Sequence, residues 1–381
     1  MKVLILRNYP HDGFVSMRVF ADVMCRELQQ RKIEFQQIAP KPFFGRIRPS
    51  VTGLGKWLGY IDRFLIFPSA LRRAAADADL VHICDHGNAM YARMLRETPV
   101  LVTCHDLLAV RAALGDANDC APSFSGRFLQ KWIVSGLRKA TRVACVSQFT
   151  YRDATTLLGS TAKVCKVING LPYPFRVLNS DEAKSRLSTV SGLHQPFILH
   201  LGGGHRRKNR EGVLRVFAKA RAHVELQLVL AGEQPGEQVL ALVRELGIGD
   251  HVLYLKRPAT EIVEALYNRA AVLLFPSRYE GFGWPPIEAQ ACGCPVVASN
   301  IAPIAEVLGD SAELFSPDDE DGMAEAVVRL MTDQDYREQL RQRGFHNVRT
   351  RFETSRMVDD YLKLYREICA QAEIPEHSSV S

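Results

Sequence analysis

The chain of 381 residues has no apolar run near the roughly 18 residues that a membrane-spanning helix needs, so no such span is expected. Its start, MKVLILRNYP, holds too short an apolar run for a signal-peptide core and reads as a first β-strand. A disulfide framework is also missing. Nine cysteines are an odd number, and most of them sit inside apolar runs, as expected of reduced core thiols in a cytoplasmic protein. Cys292 and Cys294 form a C-x-C with no Cys/His pair nearby, which argues against zinc. There is little net charge: 48 Lys and Arg against 42 Asp and Glu give +6, too small at this length to imply nucleic-acid binding. Asp77 and Asp79 form an Asp-x-Asp, but at the entry to a strand, where a turn explains them better than a metal site.

What is there is a rhythm of short apolar runs alternating with amphipathic stretches. Strands are expected at Val3–Leu6, Leu80–Cys84, Val100–Cys104, Arg142–Ser147 and Lys166–Ile168. The second half repeats the rhythm at Phe197–Leu201, Leu226–Ala231, His251–Leu255, Ala271–Phe275, Pro295–Ser299 and Ala312–Phe315. Runs apolar on both faces fit strands covered by helices on both sides. Crossover helices such as Glu211–Ala222 make the pattern a repeated βαβ, hence a parallel doubly wound sheet. Eleven strands are too many for one such sheet. The polar stretch 180–196 is the expected break, giving Rossmann-like domains over 1–180 and 195–352 that face a cleft.

Ligands of such sheets bind beyond the carboxyl ends of the strands. After Phe197–Leu201 comes GGGHRRKN, Gly202 to Asn209. Its glycines allow close backbone approach, Asn209 suits a helix cap, and three cations beside a helix start suit a diphosphate. The spacing is not that of a P-loop. After Ala271–Phe275 comes PSRYEGFGWPPIEAQACG. Glu280 is expected on the loop and Glu288 in the first turn of a helix opened by Pro285 and Pro286. Two carboxylates so placed suit the paired hydroxyls of a sugar or ribose. A helix-dipole carboxylate is the bland alternative for Glu288. His105 and Asp106 follow the strand Val100–Cys104, where Asp106 as a helix cap is the plain alternative.

Together these segments resemble glycosyltransferase family 4, the retaining enzymes of the GT-B fold, over nearly the whole chain. The likeness rests on the E-x7-E pair Glu280 and Glu288, on GGGHRRKN, on TCHD around His105, and on VSQFTYRDA and VINGLPYPF. It implies a nucleoside diphosphate sugar as donor and transfer by front-side attack without a covalent intermediate. No metal or other cofactor is expected. Arg207 and Lys208 would stabilise the leaving diphosphate, with Gly203 and Gly13 beside it. Gly203 stands where many relatives carry arginine, and Gly13 is alone where they often have paired glycines. Glu280, with the Phe282 and Gly283 amides, would orient the sugar, Glu288 would hold the ribose, and His105 would contact the transferred sugar. The acceptor would be a glycan or a lipid-linked glycan. A final helix over 353–372 would cross back to the first domain, before a loose tail from Glu373 to Ser381. The competing readings are a silent nucleotide-binding subunit and an epimerase or phosphorylase on the same scaffold.

One stretch stands apart. From Lys41 to Arg73 there are seven basic residues and only one acid, Asp62, interleaved with aromatics such as Phe43, Phe44 and Trp57. Cations and aromatics together suit an anionic membrane interface, so peripheral contact at the cytoplasmic face is expected here. An ordinary mobile loop and amphipathic helix is the alternative.

Overall fold

A computed structural model describes residues 1–13, 15–48, 53–116, 124–159, 161 and 163–372. The tail expected to be loose, and Cys120, lie outside the described residues. The chain divides into one unit of Met1–Pro172 with Thr354–Ser381 and a second of Tyr173–Glu353.

The first unit is built on β1 (Lys2–Leu6), β2 (Glu34–Ile38), β3 (Leu80–Ile83), β4 (Val100–Cys104), β5 (Arg142–Cys145) and β6 (Val164–Lys166). They form one parallel sheet in the order β2-β1-β3-β4-β5-β6. The second has β7 (Phe197–Gly202), β8 (Gln227–Gly232), β9 (Val252–Lys256), β10 (Val272–Phe275), β11 (Val296–Ser299) and β12 (Glu313–Phe315). These are also all parallel, in the order β12-β11-β10-β7-β8-β9. Inner strands such as β4 and β10 are buried along their whole length, as parallel strands covered on both faces must be.

Three differences from the sequence reading have simple causes. The edge strand β2, EFQQI, was not expected, because it pairs only with β1 and leaves three of its five residues exposed. The strand expected at Lys166–Ile168 lies at Val164–Lys166, where its register against β5 is fixed. The division between units falls at Pro172, upstream of the polar stretch. Ser180–Leu187 is instead a helix of the second unit. Asn179 caps it at Glu182, and Arg186 pairs at 2.6 Å with the buried Glu264. The last helix, Thr354–Ala372, belongs to the first unit. The Tyr365 hydroxyl lies 2.6 Å from His82 Nδ1 and the Tyr361 hydroxyl 2.9 Å from Thr103 Oγ1, beneath that helix.

Strand order then fixes where ligands go. From β1 the chain goes one way to β2 and the other way to β3 through β6. From β7 it goes one way to β8 and β9 and the other way to β10. The loops leaving β1 and β3, and those leaving β7 and β10, therefore diverge at a switch point and leave a crevice.

Candidate active site

At the switch point of the second sheet, the loop after β7 meets the loop after β10. Gly202 to Gly204 lead into a short 3₁₀ turn, Arg206–Lys208, and Asn209 then caps the helix Arg210–Arg221 by accepting from the Gly212 N–H. The buried Arg210 donates to the carbonyls of Gly202 and Glu233, both at 2.8 Å, and so pins the glycine loop to β8. Arg278 N–H donates to the Arg207 carbonyl at 2.7 Å, which ties the two loops together. Lys208 Nζ donates to Glu280 Oε1 at 2.5 Å, and Arg207 donates to Glu280 Oε2 at 3.1 Å. Residues expected to hold the diphosphate and the donor sugar are thus bonded to one another.

The electrostatics follow from this. Burial pushes the Glu280 carboxyl up, but Lys208, then Arg207, more than offset it, so its pKa lies below the ordinary value. Lys208 is drawn below its usual range by burial, with Glu280 pulling the other way. Both cations are oriented and partly desolvated before any ligand arrives.

Glu288 stands in a different environment. Gly283, at φ +103, opens the helix Trp284–Ala291 one residue before Pro285, so Glu288 lies beyond the first turn rather than in it. A dipole-stabilised carboxylate is therefore not what it is. It is 8% exposed, accepts from the Tyr267 hydroxyl at 2.9 Å, and burial raises its pKa to about 7. Phe282 is buried edge-on against Phe352, 5.8 Å between ring centres.

A second polar cluster lies at the switch point of the first sheet. Asn8, two residues past β1, donates to Asp85 Oδ2 at 2.5 Å, and Asp85 lies just past β3. Asp85 also accepts from Gly87 N–H and lies 3.4 Å from His86 Nδ1. His105, just past β4, makes a 2.9 Å bond to the Cys84 carbonyl and stacks edge-on against Phe20 at 5.0 Å. Burial lowers its pKa, with Asp85 acting against that, so the imidazole is neutral at pH 7. Asn8 Oδ1 and Asn88 Nδ2 are buried here without a partner, free to meet hydroxyl groups. Asp106 accepts from Leu108 N–H at 3.1 Å, but Leu107 is the cap residue of the helix Leu108–Leu114, so Asp106 makes a local turn and is not the helix cap named as its plain alternative. Gly13 follows Asn8 by five residues with φ +78, and a Cβ there would meet nothing.

The sequence reading missed Tyr267, Arg210, Glu233, Asn8 and Asp85. Glu233 was visible only as a carboxylate one residue past β8, and it accepts from Gly204 N–H at 2.8 Å. Asp85 carried the same signal, two residues past a buried strand. Cys292 and Cys294 are buried thiols, and no group of three His, Cys, Asp or Glu among the described residues is placed to hold a metal. Asp79 accepts from Lys2 N–H at 2.7 Å.

Comparison with known proteins bears on these clusters. Residues 181–347 match the family model for glycosyl transferases group 1, and residues 17–171 that for glycosyltransferase family 4. The O-antigen chain mannosyltransferase B of Escherichia coli is 27% identical over 72% of this chain and 71% of its own length. The chain spans less than half the length of the next three curated relatives it matches. Sucrose-phosphate synthase from Thermosynechococcus elongatus superposes with a TM-score of 0.77 at 21% identity, over 97% of this chain and all of that one. HepE from Anabaena, in complex with UDP and glucose, gives 0.74 at 14% identity over 96% of this chain and all of that one.

Proposed function

Because the chain belongs to the family 4 glycosyltransferases and has their two-domain α/β GT-B fold, we propose the following activity: it is a retaining transferase that moves a hexose-type sugar from a nucleoside diphosphate sugar to a glycan or lipid-linked acceptor, in cell-surface polysaccharide or glycolipid synthesis at the cytoplasmic face of a membrane. The observation that carries this reading is the convergence of Lys208 and Arg207 on Glu280 at 2.5 and 3.1 Å. A donor diphosphate is a better partner for both cations than one carboxylate. Its arrival releases Glu280 to accept hydrogen bonds from hydroxyls of the donor sugar, while Glu288 accepts from the ribose. The cations then stabilise the charge that grows on the leaving diphosphate as the glycosidic bond breaks. This neutralisation calls for no metal. Once released, a Glu280 occupied by hydrogen bonds from the donor-sugar hydroxyls is a poor nucleophile, which supports front-side attack by the acceptor rather than a glycosyl-enzyme. In the first unit, the neutral His105 and the unpartnered Asn8 Oδ1 and Asn88 Nδ2 suit sugar hydroxyls. The likeness to an O-antigen mannosyltransferase supports a hexose donor and a polysaccharide product.

The test is a panel of nucleoside diphosphate sugars with chelator present, following diphosphate release and the anomeric configuration of the product by NMR. Release with retained configuration is expected for one donor class. An inverted product, or activity that disappears with chelator and returns with a divalent cation, would overturn the mechanism.

A further inference from the structure

The described residues of the stretch from Lys41 to Arg73 meet the first-sheet cluster where Arg63 donates to Asn88 Oδ1 at 3.4 Å, and they are tightly built. The stretch holds a loop over 43–48, a helix over Gly53–Ile61, a π-helical turn over Asp62–Ile66, and a helix over Phe67–Ala75. Of the twelve large hydrophobic side chains that are exposed among the described residues, seven lie between Phe43 and Ile66. Leu54, Trp57 and Leu65 follow one helical stripe and are 60%, 58% and 74% exposed, while Ile47 on the loop is 74% exposed.

The loop is clasped from inside. Asp62 is 1% exposed and accepts from the backbone N–H groups of Phe43, Phe44 and Gly45 and from the Tyr9 hydroxyl, all at 2.9 to 3.0 Å. A Cβ at Gly45 would stand 1.9 Å from the Tyr9 hydroxyl oxygen, so only glycine fits the clasp. Burying a carboxylate is costly, and four donors are what make it tolerable here. The clasp holds apolar side chains out in water, which stabilises nothing unless something covers them. The one acid of the stretch is turned inward, so its outer charge is all positive. Arg46 lies over the Phe43 ring and Lys56 over the Tyr60 ring, both at 5.5 Å, which places cations beside the apolar groups.

We propose that this surface docks on an anionic lipid bilayer: the Phe43–Ile47 loop and the Leu54, Trp57, Leu65 stripe enter the interfacial layer, the cations meet lipid phosphates, and Asp62 is the internal clasp that presents them. The proposal extends the lipid-linked acceptor reading, but vesicle binding is measured without turnover, so the two fail separately.

The experiment is sedimentation of the full chain with vesicles containing phosphatidylglycerol and with vesicles of phosphatidylcholine alone, alongside Trp57 fluorescence. Binding to the anionic vesicles, with a blue shift that is lost in Trp57→Phe, is expected. Binding should fall about tenfold or more in Phe43→Ser/Trp57→Ser and in Arg46→Glu/Lys56→Glu, with donor turnover and melting temperature unchanged. No binding by the unaltered chain, or equal binding by both double variants, would overturn the proposal. Equal binding to phosphatidylcholine would overturn the anionic assignment. A dimer without vesicle binding, dissociated by Phe43→Ser/Trp57→Ser, would assign the surface to a second copy instead. Lost turnover with vesicle binding intact would count against the transferase reading alone.

Discussion

Glu288 should make donor binding depend on pH in the neutral range. Its pKa is raised to about 7 by burial, against the Tyr267 hydrogen bond and the Lys208 charge, which lower it. If the ionised carboxylate is what accepts the ribose hydroxyls, only about a tenth of the protein is competent at pH 6 and about nine-tenths at pH 8. Affinity should then rise roughly tenfold between these limits, close to 1.4 kcal/mol. Calorimetry should use an intact nucleoside diphosphate sugar, whose doubly esterified pyrophosphate keeps its charge over that window. A His205→Gln background removes the imidazole of the donor loop. Glu288→Gln should bind weakly and without the slope. Tyr267→Phe removes a hydrogen bond that favours the carboxylate, so its midpoint should move to higher pH. A flat wild-type profile, or the same slope in Glu288→Gln, would refute the reasoning. Stability should show the opposite sign. The folded-state pKa lies above the ordinary 4.5, so the folded protein holds the extra proton between pH 4.5 and about 7. Stability is thus lost as pH rises through that window, by up to about 3 kcal/mol, and Glu288→Gln should remove that loss in urea titrations.

Other variants separate the remaining roles. Glu280→Ala should abolish transfer and leave nucleotide binding largely intact, whereas Lys208→Ala should weaken binding of the diphosphate itself. Equal loss of nucleotide binding in the two, by calorimetry, would show the roles are wrongly divided. Lys208→Ala should also lower stability in thermal unfolding, but by less than the roughly 3–5 kcal/mol of a fully orphaned buried charge, because Arg207 still faces Glu280. Gly283→Ala puts a side chain at φ +103 and a Cβ 2.4 Å from Ile304 Cδ1, so it should cost about 1–3 kcal/mol in thermal unfolding and depress turnover. Asp85→Asn removes a charge that acts to raise the His105 pKa, and should reduce the transfer rate while leaving nucleotide affinity unchanged.

The sheets were legible because parallel strands buried on both faces leave unbroken apolar runs, as at Val100–Cys104 and Val272–Phe275. Edge strand β2 was not, since half-solvated Glu34–Ile38 carries no such run. The break between units was hard to see for a related reason. Ser180–Leu187 is polar because it is a surface helix, and polarity alone does not tell a capped helix from a linker. Glu280, Lys208 and His105 were singled out because each lies in the loop that follows a buried strand, and the loops of Glu280 and Lys208 are too rich in glycine or charge to be mere connection.

Their partners were not visible, and the partners decide the chemistry. Spacing gives Glu280 and Glu288 one description, two carboxylates on one strand-loop-helix segment, and so assigns both to holding hydroxyls. The fold gives them opposite electrostatics. Glu280 meets Lys208 and Arg207 because β7 and β10 are neighbours at the switch point, seventy residues apart in sequence, and it stays charged. Glu288 meets the Tyr267 hydroxyl, from a helix that precedes β10, and is half protonated near neutral pH. The carboxylate that must compete with a diphosphate for two cations is thus the one held ionised at neutral pH. The carboxylate that only holds a ribose is the one whose charge can change, so pH is expected to tune donor affinity through Glu288 while leaving the Glu280 step untouched.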